Sequence, residues 1–358
     1  MRLAVSLARK GMGKTSPNPC VGAVLVKNGK VIASAYHEKA GSLHAEASAI
    51  KKAGKAAHGA TLYCTLEACT HYGRTPPCVD AIVENGIERV VFAMRDPNPI
   101  NYGKGIARLR RASIETKCGV LSKLSSDLNR PFIKFMKRHL PYVTIKMAQS
   151  VDGKIADTQG RSRWITSKSS RRFVQKLRAQ NDAVMIGINT LLKDDPRLTS
   201  RIPTGREGQL LRIVLDTDLR IPLRSRILRN NKTGGKDVFI VGGKGASLKK
   251  KASLEKIGAK VILLSRKNGH VNLISLMKYL AKMDVTSVLC EGGGELSASL
   301  LKKRLADEVF FFISPRIIGG RTSPTSCGGL YSDIRKSVKL KNVGVERVGS
   351  DILIRGYL

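Results

Sequence analysis

One histidine and two cysteines stand where they could hold a metal ion and leave one coordination position open. His44 is followed by Glu46, and Cys69 and Cys78 lie further along the chain. Catalytic zinc sites combine three protein ligands of these types with a solvent position. In zinc deaminases, a nearby glutamate moves protons and is not a ligand. The pattern therefore predicts a zinc site that hydrolytically removes an amino group from a heterocycle, with Glu46 as the proton shuttle.

Each part of this predicted site begins where a strand leads into a helix. The Ala-rich stretch 44–57 predicts a helix that opens at His44, and Pro76-Pro77 predicts the entry of a helix over 78–84. Helix N-termini favour thiolates, and a helix start places Glu46 within one turn of the metal. Residues 1–118 are therefore predicted to form one α/β unit, with strands at 21–26, 30–35, 61–66 and 88–93 and a turn at Asn28-Gly29.

The alternation of strands and helices resumes after a connecting segment. Apolar residues at helical spacing predict helix across 119–141, interrupted at Pro131. Alternating strands and helices are typical of α/β domains, so 142–358 is predicted to form a second one. Glu291-Gly292-Gly293-Gly294 could be a phosphate cradle or only a tight turn. The strands predicted in this half are 142–147, 183–186, 211–215, 238–241, 285–289 and 308–313, with a helix at 169–180.

Length and composition limit the class of protein. The chain has 358 residues, 42% of them hydrophobic, which is enough for two ordinary cores. It has no apolar run of about 18 residues, so no membrane span is expected. Its 7 cysteines are scattered and its N-terminus does not resemble an export signal. These features predict a cytoplasmic protein with reduced thiols.

The chain is strongly basic, with 64 Lys and Arg against 27 Asp and Glu and a formal net charge of +37. Such a charge can indicate nucleic-acid binding. However, the basic residues form no long arm, and aromatic residues, which would stack on bases, make up only 5% of the chain. A general basic bias is therefore favoured, with no nucleic-acid or membrane partner and some attraction for anionic small substrates.

Longer motifs in both halves closely resemble those of the bacterial bifunctional riboflavin-biosynthesis deaminase–reductases. They cover nearly the whole chain and follow the family's order. In the first half they are Ser16-Pro17-Asn18-Pro19-Cys20-Val21-Gly22, Tyr36-His37, Gly41, His44-Ala45-Glu46, Thr65-Leu66-Glu67-Ala68-Cys69, His71-Tyr72-Gly73-Arg74-Thr75-Pro76-Pro77-Cys78 and Asp96-Pro97-Asn98-Pro99. In the second half they are Lys146-Met147-Ala148-Gln149-Ser150-Val151-Asp152-Gly153, Trp164-Ile165-Thr166-Ser167, Leu177-Arg178-Ala179-Gln180, Thr190, Asp194-Asp195-Pro196-Arg197-Leu198-Thr199 and Glu291-Gly292-Gly293.

The resemblance implies a fold and two consecutive reactions. A cytidine-deaminase-like N-terminal α/β/α domain would use Zn²⁺ to deaminate 2,5-diamino-6-(5-phosphoribosylamino)pyrimidin-4-one. A dihydrofolate-reductase-like C-terminal α/β domain would then use NADPH to reduce the ribosyl side chain, giving 5-amino-6-(5-phosphoribitylamino)uracil. The resemblance also implies a homo-oligomer, either a dimer or a tetramer.

The resemblance also implies roles for individual residues. His44, Cys69 and Cys78 would bind zinc, Glu46 would shuttle protons, and Asn18 would sit at the pyrimidine edge. NADPH contacts are implied for Ala148, Trp164, Thr190, Asp194, Thr217, Gly293, Gly294, Glu295, Leu296, Ser297, Ala298 and Ser299. Substrate contacts are implied for Ser162, Arg178, Leu198, Arg201 and Glu291; the arginines suit a phosphate, because guanidinium pairs bidentately with its oxygens.

Two residues depart from the family's pattern. Ala68 stands where a proline usually precedes the first zinc cysteine, so the turn that carries Cys69 is expected to be less rigid. Cys20 replaces the usual asparagine after the second proline of its loop, which puts an extra thiol near the expected pocket. Neither departure removes a predicted ligand or Glu46.

Three alternatives remain compatible with parts of the sequence. A nucleic-acid deaminase would suit the charge, but those enzymes have Pro-Cys-x-x-Cys, whereas 8 residues separate Cys69 from Cys78. A structural zinc module in an RNA-binding protein would need a fourth protein ligand, for which His71 and Cys64 are the candidates. In the third alternative, only one of the two halves is active.

Overall fold

Two compact units make up the described part of the chain. The computed structural model describes residues 1–73, 75–203, 210–229, 237–329 and 333–358. Met1–Leu140 forms the first unit, and the described residues from Pro141 onward form the second. No helix in these ranges combines the length and the apolar character that crossing a membrane requires.

The first unit is built on a five-stranded sheet in the order β2-β1-β3-β4-β5. Its strands are β1 (Gly22–Lys27), β2 (Lys30–Tyr36), β3 (Thr61–Cys64), β4 (Arg89–Phe92) and β5 (Glu115–Cys118). Its helices are α1 (Arg2–Arg9), α2 (Ala45–Ala53), α3 (Cys78–Glu84), α4 (Lys104–Arg111), α5 (Ser122–Leu128) and α6 (Arg130–Arg138). Strand β1 is antiparallel to both of its neighbours, whereas β3, β4 and β5 run parallel. The predicted strands and helices are confirmed here, with small changes in their bounds.

Close packing joins the helices of this unit to its sheet. The predicted turn between β1 and β2 has positive φ at both Asn28 and Gly29, as a tight hairpin turn requires. At Gly22, an added Cβ would lie 2.0 Å from the carbonyl oxygen of Ala4. Helix α1 therefore packs its main chain directly on β1, which only glycine permits.

The segment predicted as a connection, 119–141, contains α5 and α6, and the first unit extends through Leu140. The helical path breaks at Asn129, not at Pro131 as the sequence suggested. Pro131 lies in the first turn of α6, where the missing N–H of proline costs no helix hydrogen bond. The side chain of Asn129, 2% exposed, accepts a hydrogen bond from the Cys20 N–H and donates one to the Cys20 carbonyl.

The second unit is built on a nine-stranded sheet in the order β10-β9-β8-β7-β13-β6-β14-β16-β15. Its strands are β6 (Tyr142–Ser150), β7 (Ala183–Gly187), β8 (Leu211–Leu215), β9 (Val238–Gly243), β10 (Lys260–Leu264), β13 (Ser287–Cys290), β14 (Glu308–Ser314), β15 (Lys341–Val348) and β16 (Asp351–Tyr357), and a separate pair is formed by β11 (Arg266–Lys267) and β12 (His270–Val271). Its helices are α7 (Lys168–Gln180), α8 (Ile188–Asp194), α9 (Arg226–Arg229), α10 (Leu248–Lys256), α11 (Leu273–Ala281) and α12 (Gly294–Lys302).

The strands from β10 to β14 in this order are parallel, and β16 and β15 extend the sheet with antiparallel pairing. The central strands are apolar and buried along their length, as expected of parallel strands covered on both faces. Open sheets of this kind bind ligands beyond the carboxyl ends of their parallel strands. Three of the predicted contact residues follow the carboxyl ends of such strands: Thr190, Thr217 and Glu291. This edge of the sheet is therefore the candidate ligand site of the second unit.

Candidate active sites

Three potential metal ligands converge at the starts of two helices. His44 is the N-cap residue of α2, Cys78 is the first residue of α3, and Cys69 lies in the loop after β3. The His44 Nδ1 atom lies 3.3 Å from the Cys78 Sγ and 3.5 Å from the Cys69 Sγ. The backbone N–H of Cys78 donates to the Cys69 Sγ at 3.3 Å. The fold thus brings together the three residues that the sequence predicts as ligands.

This donor set suits zinc. The ring nitrogen and two sulfurs lie within 4.8 Å of one another, and they form the one such group found in the described part of the chain. Imidazole nitrogen and thiolate sulfur are the ligands of catalytic and structural zinc sites. The hydrogen bond from the Cys78 thiol lowers the pKa of Cys69 to about 4 and raises that of Cys78. Zinc binds cysteine as the thiolate, so metal binding at these sulfurs releases their protons.

Glu46 lies in the first turn of α2 and is 4% exposed. Burial raises the pKa of its carboxyl to about 7, an effect that His44 partly opposes. A carboxyl group whose pKa lies near the working pH can both accept and return a proton. The environment of Glu46 is therefore compatible with a proton shuttle beside the three ligands.

The amide of Asn18 is oriented by a buried histidine that the sequence motifs contained but assigned no role. The Asn18 Nδ2 lies 3.1 Å from the His37 Nε2, and the His37 Nδ1 lies 3.2 Å from the Leu43 carbonyl oxygen. A carbonyl only accepts, so Nδ1 carries the proton and Nε2 accepts from Asn18. Burial lowers the pKa of His37, which favours this neutral form. The His37 ring also meets the His44 ring edge-on, with centroids 5.4 Å apart.

The two candidates for a fourth protein ligand lie outside this group. His71 is exposed, and Cys64 is fully buried on β3; neither belongs to the cluster of possible ligand atoms. A structural zinc site needs four protein ligands, whereas a catalytic site keeps one position for solvent. The three-ligand arrangement therefore favours catalysis.

In the second unit, Arg178 and Glu291 form a nearly buried ion pair. Arg178 projects from α7, and Glu291 directly follows β13; the contacts are 2.5 Å from Nε to Oε1 and 2.9 Å from Nη2 to Oε2. Burial alone would raise the pKa of Glu291, but Arg178 outweighs it, so this pKa is lowered. The bidentate face of Arg178 is thus turned to Glu291 and is not open to a phosphate.

Other predicted cofactor residues are anchored along the carboxyl edge of the sheet. The Thr190 hydroxyl accepts a hydrogen bond from the Gly293 N–H at 3.0 Å, which ties α8 to the start of α12. The Ser162 hydroxyl donates to the Asp194 carboxylate at 2.9 Å. The Thr217 hydroxyl accepts from a backbone N–H at 3.3 Å. These bonds fix the positions of three side chains that the sequence predicts as ligand contacts.

Trp164 is 62% exposed, although the only tryptophan of a chain is commonly part of the core. The guanidinium carbons of Arg171 and Arg163 lie 4.5 Å and 5.9 Å from its ring centroid. Arg316 donates to its carbonyl oxygen at 3.0 Å. An indole held in this way can stack against a ligand, and sequence patterns gave no sign of the flanking Arg171.

Some predicted contact residues face the protein interior. The side chain of Leu198 is 3% exposed and belongs to a core cluster, while Ser297 and Ala298 are 0% and 4% exposed. The Ser297 hydroxyl is bonded inside the fold to the Gly292 carbonyl. Helix α12 must bury one face, so only part of 293–299 can present side chains to a ligand. Arg201, by contrast, is exposed.

Each half of the chain matches a known protein family. The model of the cytidine and deoxycytidylate deaminase zinc-binding region matches residues 1–94, and that of the RibD C-terminal domain matches residues 141–354. Riboflavin biosynthesis protein RibD of Aquifex aeolicus (strain VF5) is 43% identical over 355 residues, which are 99% of this chain and 96% of that protein. The Escherichia coli (strain K12) protein of the same name is 38% identical over 365 residues, covering 99% and 97%.

Solved structures agree along the full chain. Acinetobacter baumannii RibD superposes with a TM-score of 0.88 at 36% identity, covering 99% of this chain and 97% of that one. A Thermotoga maritima diaminohydroxyphosphoribosylaminopyrimidine deaminase/5-amino-6-(5-phosphoribosylamino)uracil reductase superposes with a TM-score of 0.85 at 35% identity, covering 100% and 97%. The two-domain α/β fold predicted from the sequence is therefore confirmed, with a zinc-binding deaminase domain and a reductase domain of the NADPH-using RibD type. The chain belongs to the RibD family of bifunctional riboflavin-biosynthesis enzymes, which join a zinc-binding deaminase domain to a reductase domain.

Proposed function

We propose that this chain deaminates 2,5-diamino-6-(5-phosphoribosylamino)pyrimidin-4-one and then reduces the product to 5-amino-6-(5-phosphoribitylamino)uracil. The observation that carries the first step is the group of His44, Cys69 and Cys78, with the buried Glu46 one turn away. Three ligands with a nearby general acid–base are what hydrolytic deamination requires. The second step is supported by the reductase family match and by the anchored residues at the carboxyl edge of the nine-stranded sheet.

In the first site, zinc bound by the three ligands would supply a water molecule that is acidic near neutral pH. Glu46 takes a proton from the attacking water and returns one to the departing amino group. Asn18, whose amide is oriented by His37, aligns the edge of the pyrimidine. Burial of Glu46 keeps bulk water away from the proton transfer.

In the second site, NADPH would supply the hydride. The residues proposed to hold it are Ala148, Trp164, Thr190, Asp194, Thr217 and the segment Gly293, Gly294, Glu295, Leu296, Ser297, Ala298 and Ser299. Ser297 and Ala298 are buried, and the Ser297 N–H already donates to the Gly293 carbonyl. The cofactor phosphate is therefore assigned to the N–H groups of the first turn of α12, from Gly294 to Leu296. The exposed Trp164 ring is suited to stacking.

The phosphorylated substrate of the second site would contact Ser162, Arg178, Leu198, Arg201 and Glu291. Since Arg178 is paired with Glu291, we assign it to the sugar through its remaining N–H groups and assign the phosphate to Arg201. The buried Leu198 would contribute through its main chain. Burial also lowers the pKa of Lys146, which lies on β6 near this pair.

We assign the deaminase domain to residues 1–118, the connecting helical segment to 119–141 and the reductase domain to 142–358.

We further propose a cytoplasmic homo-oligomer, a dimer or a tetramer, without nucleic-acid or membrane partners. The edge strand β15 supports oligomerisation, because its Val343 and Val345 are 52% and 67% exposed. Ile352 on the neighbouring β16 is 47% exposed. An exposed apolar sheet edge is a surface that a second copy can cover.

Removal and return of zinc tests the assignment of the first site. A chelator should stop ammonia release from the diamino substrate, and added Zn²⁺ should restore it. NADPH oxidation with the already deaminated substrate should continue throughout, since that step uses the other domain. Ammonia release that persists in zinc-free protein would contradict the proposal.

A further inference from the structure

The turn that carries Cys69 is held by a buried side chain that lies far along the sequence. Asn101 is 0% exposed and lies in the loop that precedes α4. Its Nδ2 donates to the Ala68 carbonyl at 3.1 Å, and its Oδ1 accepts from the Thr70 N–H at 3.0 Å. One amide therefore holds the main chain immediately before and immediately after Cys69.

The hydrogen-bonding capacity of this amide is fully used. Besides those two bonds, Nδ2 donates to the Asp96 Oδ2 at 3.1 Å, and Oδ1 accepts from the Thr70 hydroxyl at 2.9 Å. An asparagine side chain offers two N–H donors and two lone pairs, so all four are occupied. The arrangement fixes which way the amide points, because both partners of Nδ2 are acceptors.

A second buried side chain supports the same loop. The Glu67 carboxylate, 2% exposed, accepts hydrogen bonds from the backbone N–H groups of Asp96, Gly103 and Ile106 at 3.0–3.1 Å. It therefore joins the start of the Cys69 turn to the loop that contains Asn101 and to the first turn of α4. A Cβ at Gly105 would lie 2.2 Å from the Ala68 carbonyl oxygen, so α4 also packs directly on the turn.

The opposite side of Cys69 is tied to α3. The Val79 N–H donates to the Cys69 carbonyl at 3.2 Å, and the Cys78 N–H donates to the Cys69 sulfur at 3.3 Å. Cys69 is thus held between the Asn101 amide and the start of the helix that supplies Cys78. The hydrogen bonds fix the main chain from which its sulfur extends.

We propose that Asn101 is a positioning residue of the zinc site, which sets the place of the Cys69 sulfur before the metal binds. The inference rests on the proposed role of Cys69 as a ligand. Groups that orient metal ligands commonly affect metal affinity by about 10- to 100-fold. Asn101 touches neither the other ligands nor Glu46 in the bonds described above, so its effect passes through the Cys69 turn.

Asn101→Asp tests this role with almost no change in shape. In the wild type, the Asn101 Nδ2 donates to the Ala68 carbonyl and to the Asp96 carboxylate. The new carboxylate has no N–H to donate, so its oxygen would repel both acceptors. We expect zinc affinity, measured by competition with a chromophoric chelator, to fall by about 10- to 100-fold. We also expect the absorption bands of the Co²⁺-substituted protein to shift, because they report the ligand geometry directly.

Asn129→Asp is the matched control. Asn129 is also buried in the first unit and bonds to main-chain atoms of Cys20 and Ser125, away from the Cys69 turn. We expect its zinc affinity and Co²⁺ spectrum to equal those of the wild type. If Asn101→Asp matched the wild type in both measurements, or if Asn129→Asp weakened zinc equally, the positioning role would be refuted.

If Asn101→Asp does not fold, Thr70→Val tests the positioning role of Asn101 instead. It removes only the hydroxyl bond to Asn101, so a smaller loss of zinc affinity is expected, and an unchanged affinity would overturn the proposal. The zinc content of the wild type distinguishes a failure of the proposed function from a failure of the role of Asn101. A wild type that binds no stoichiometric zinc would refute both, whereas equal affinities in wild type and variant would refute the role of Asn101 alone.

Discussion

At the scale of single residues, the chemistry depends on side chains whose surroundings differ sharply from water. Glu46 has a pKa near neutrality because it is buried, and His37 is kept neutral for the same reason. The identities of these residues could be read from the sequence, but their protonation could not, because it depends on burial. The partner of Asn18 also came only from the structure.

Replacing Glu46 by Gln keeps the shape of the side chain and removes proton transfer. We expect ammonia release to fall by about 100- to 10,000-fold, the usual contribution of a general acid–base. Zinc should remain bound, because Glu46 is not one of the three ligands. Ammonia assays together with metal analysis check this, and a zinc-loaded variant with full activity would exclude the proton-shuttle role.

Removing Arg178 should affect the reductase step alone. Arg178→Ala leaves the Glu291 carboxylate nearly buried without its bidentate partner. Breaking such a pair typically costs about 3–5 kcal/mol of local stability. NADPH oxidation should therefore be lost while ammonia release continues. Loss of both activities in folded protein would show that the two sites are not independent.

The Arg178–Glu291 pair also predicts a pH dependence of stability. The folded pKa of Glu291 lies below its unfolded value of about 4.3. Its stabilising contribution is therefore present above about pH 4.3 and is lost as the pH falls through the folded pKa. Urea unfolding of wild type and Glu291→Gln should show a larger acid-induced loss of stability in the wild type. Parallel curves would contradict this.

At the scale of elements, sequence patterns succeeded where an element has a distinct apolar face or a clear boundary. The helices at His44 and Cys78 were predictable, because a strand end or a proline pair marks each start. Helix α4 and the hairpin β15–β16 were not predicted. Helix α4 is short and has only two large apolar residues, Ile106 and Leu109, among four basic ones. Strand β15 is almost entirely exposed and lacks the alternation of a half-buried strand. Asn101 was missed because its partners beside Cys69, Thr70 and Ala68, lie 31 and 33 positions away.

The packing of α1 on β1 gives a prediction at this scale. Gly22→Ala would place a Cβ 2.0 Å from the Ala4 carbonyl oxygen, and main chain must move to accommodate it. Overpacking of this kind costs about 1–3 kcal/mol. Gly344→Ala is the control, since an added Cβ there meets no atom within 4 Å. Denaturant unfolding should show a loss only for Gly22→Ala, and equal stabilities would contradict the packing described.

At the scale of the whole molecule, two units each carry one predicted site. The three zinc ligands, Glu46 and Asn18 lie within Met1–Leu140, and the residues proposed to contact NADPH and the substrate of the second site lie beyond Pro141. The full-length matches show that this pairing of domains is characteristic of the family. Each step should therefore be separable from the other by mutation, although both act on the same pyrimidine in turn.

The proposed order of the two reactions is tested most directly by measuring ammonia release and NADPH oxidation together, starting from the diaminopyrimidinone substrate. We expect ammonia to appear first and one NADPH to be oxidised afterwards for each ammonia released. Glu46→Gln should slow both signals with this substrate by the same factor and leave NADPH oxidation with the deaminated substrate unchanged. Ammonia release without any NADPH oxidation, or oxidation that precedes ammonia release, would contradict the proposed sequence of reactions.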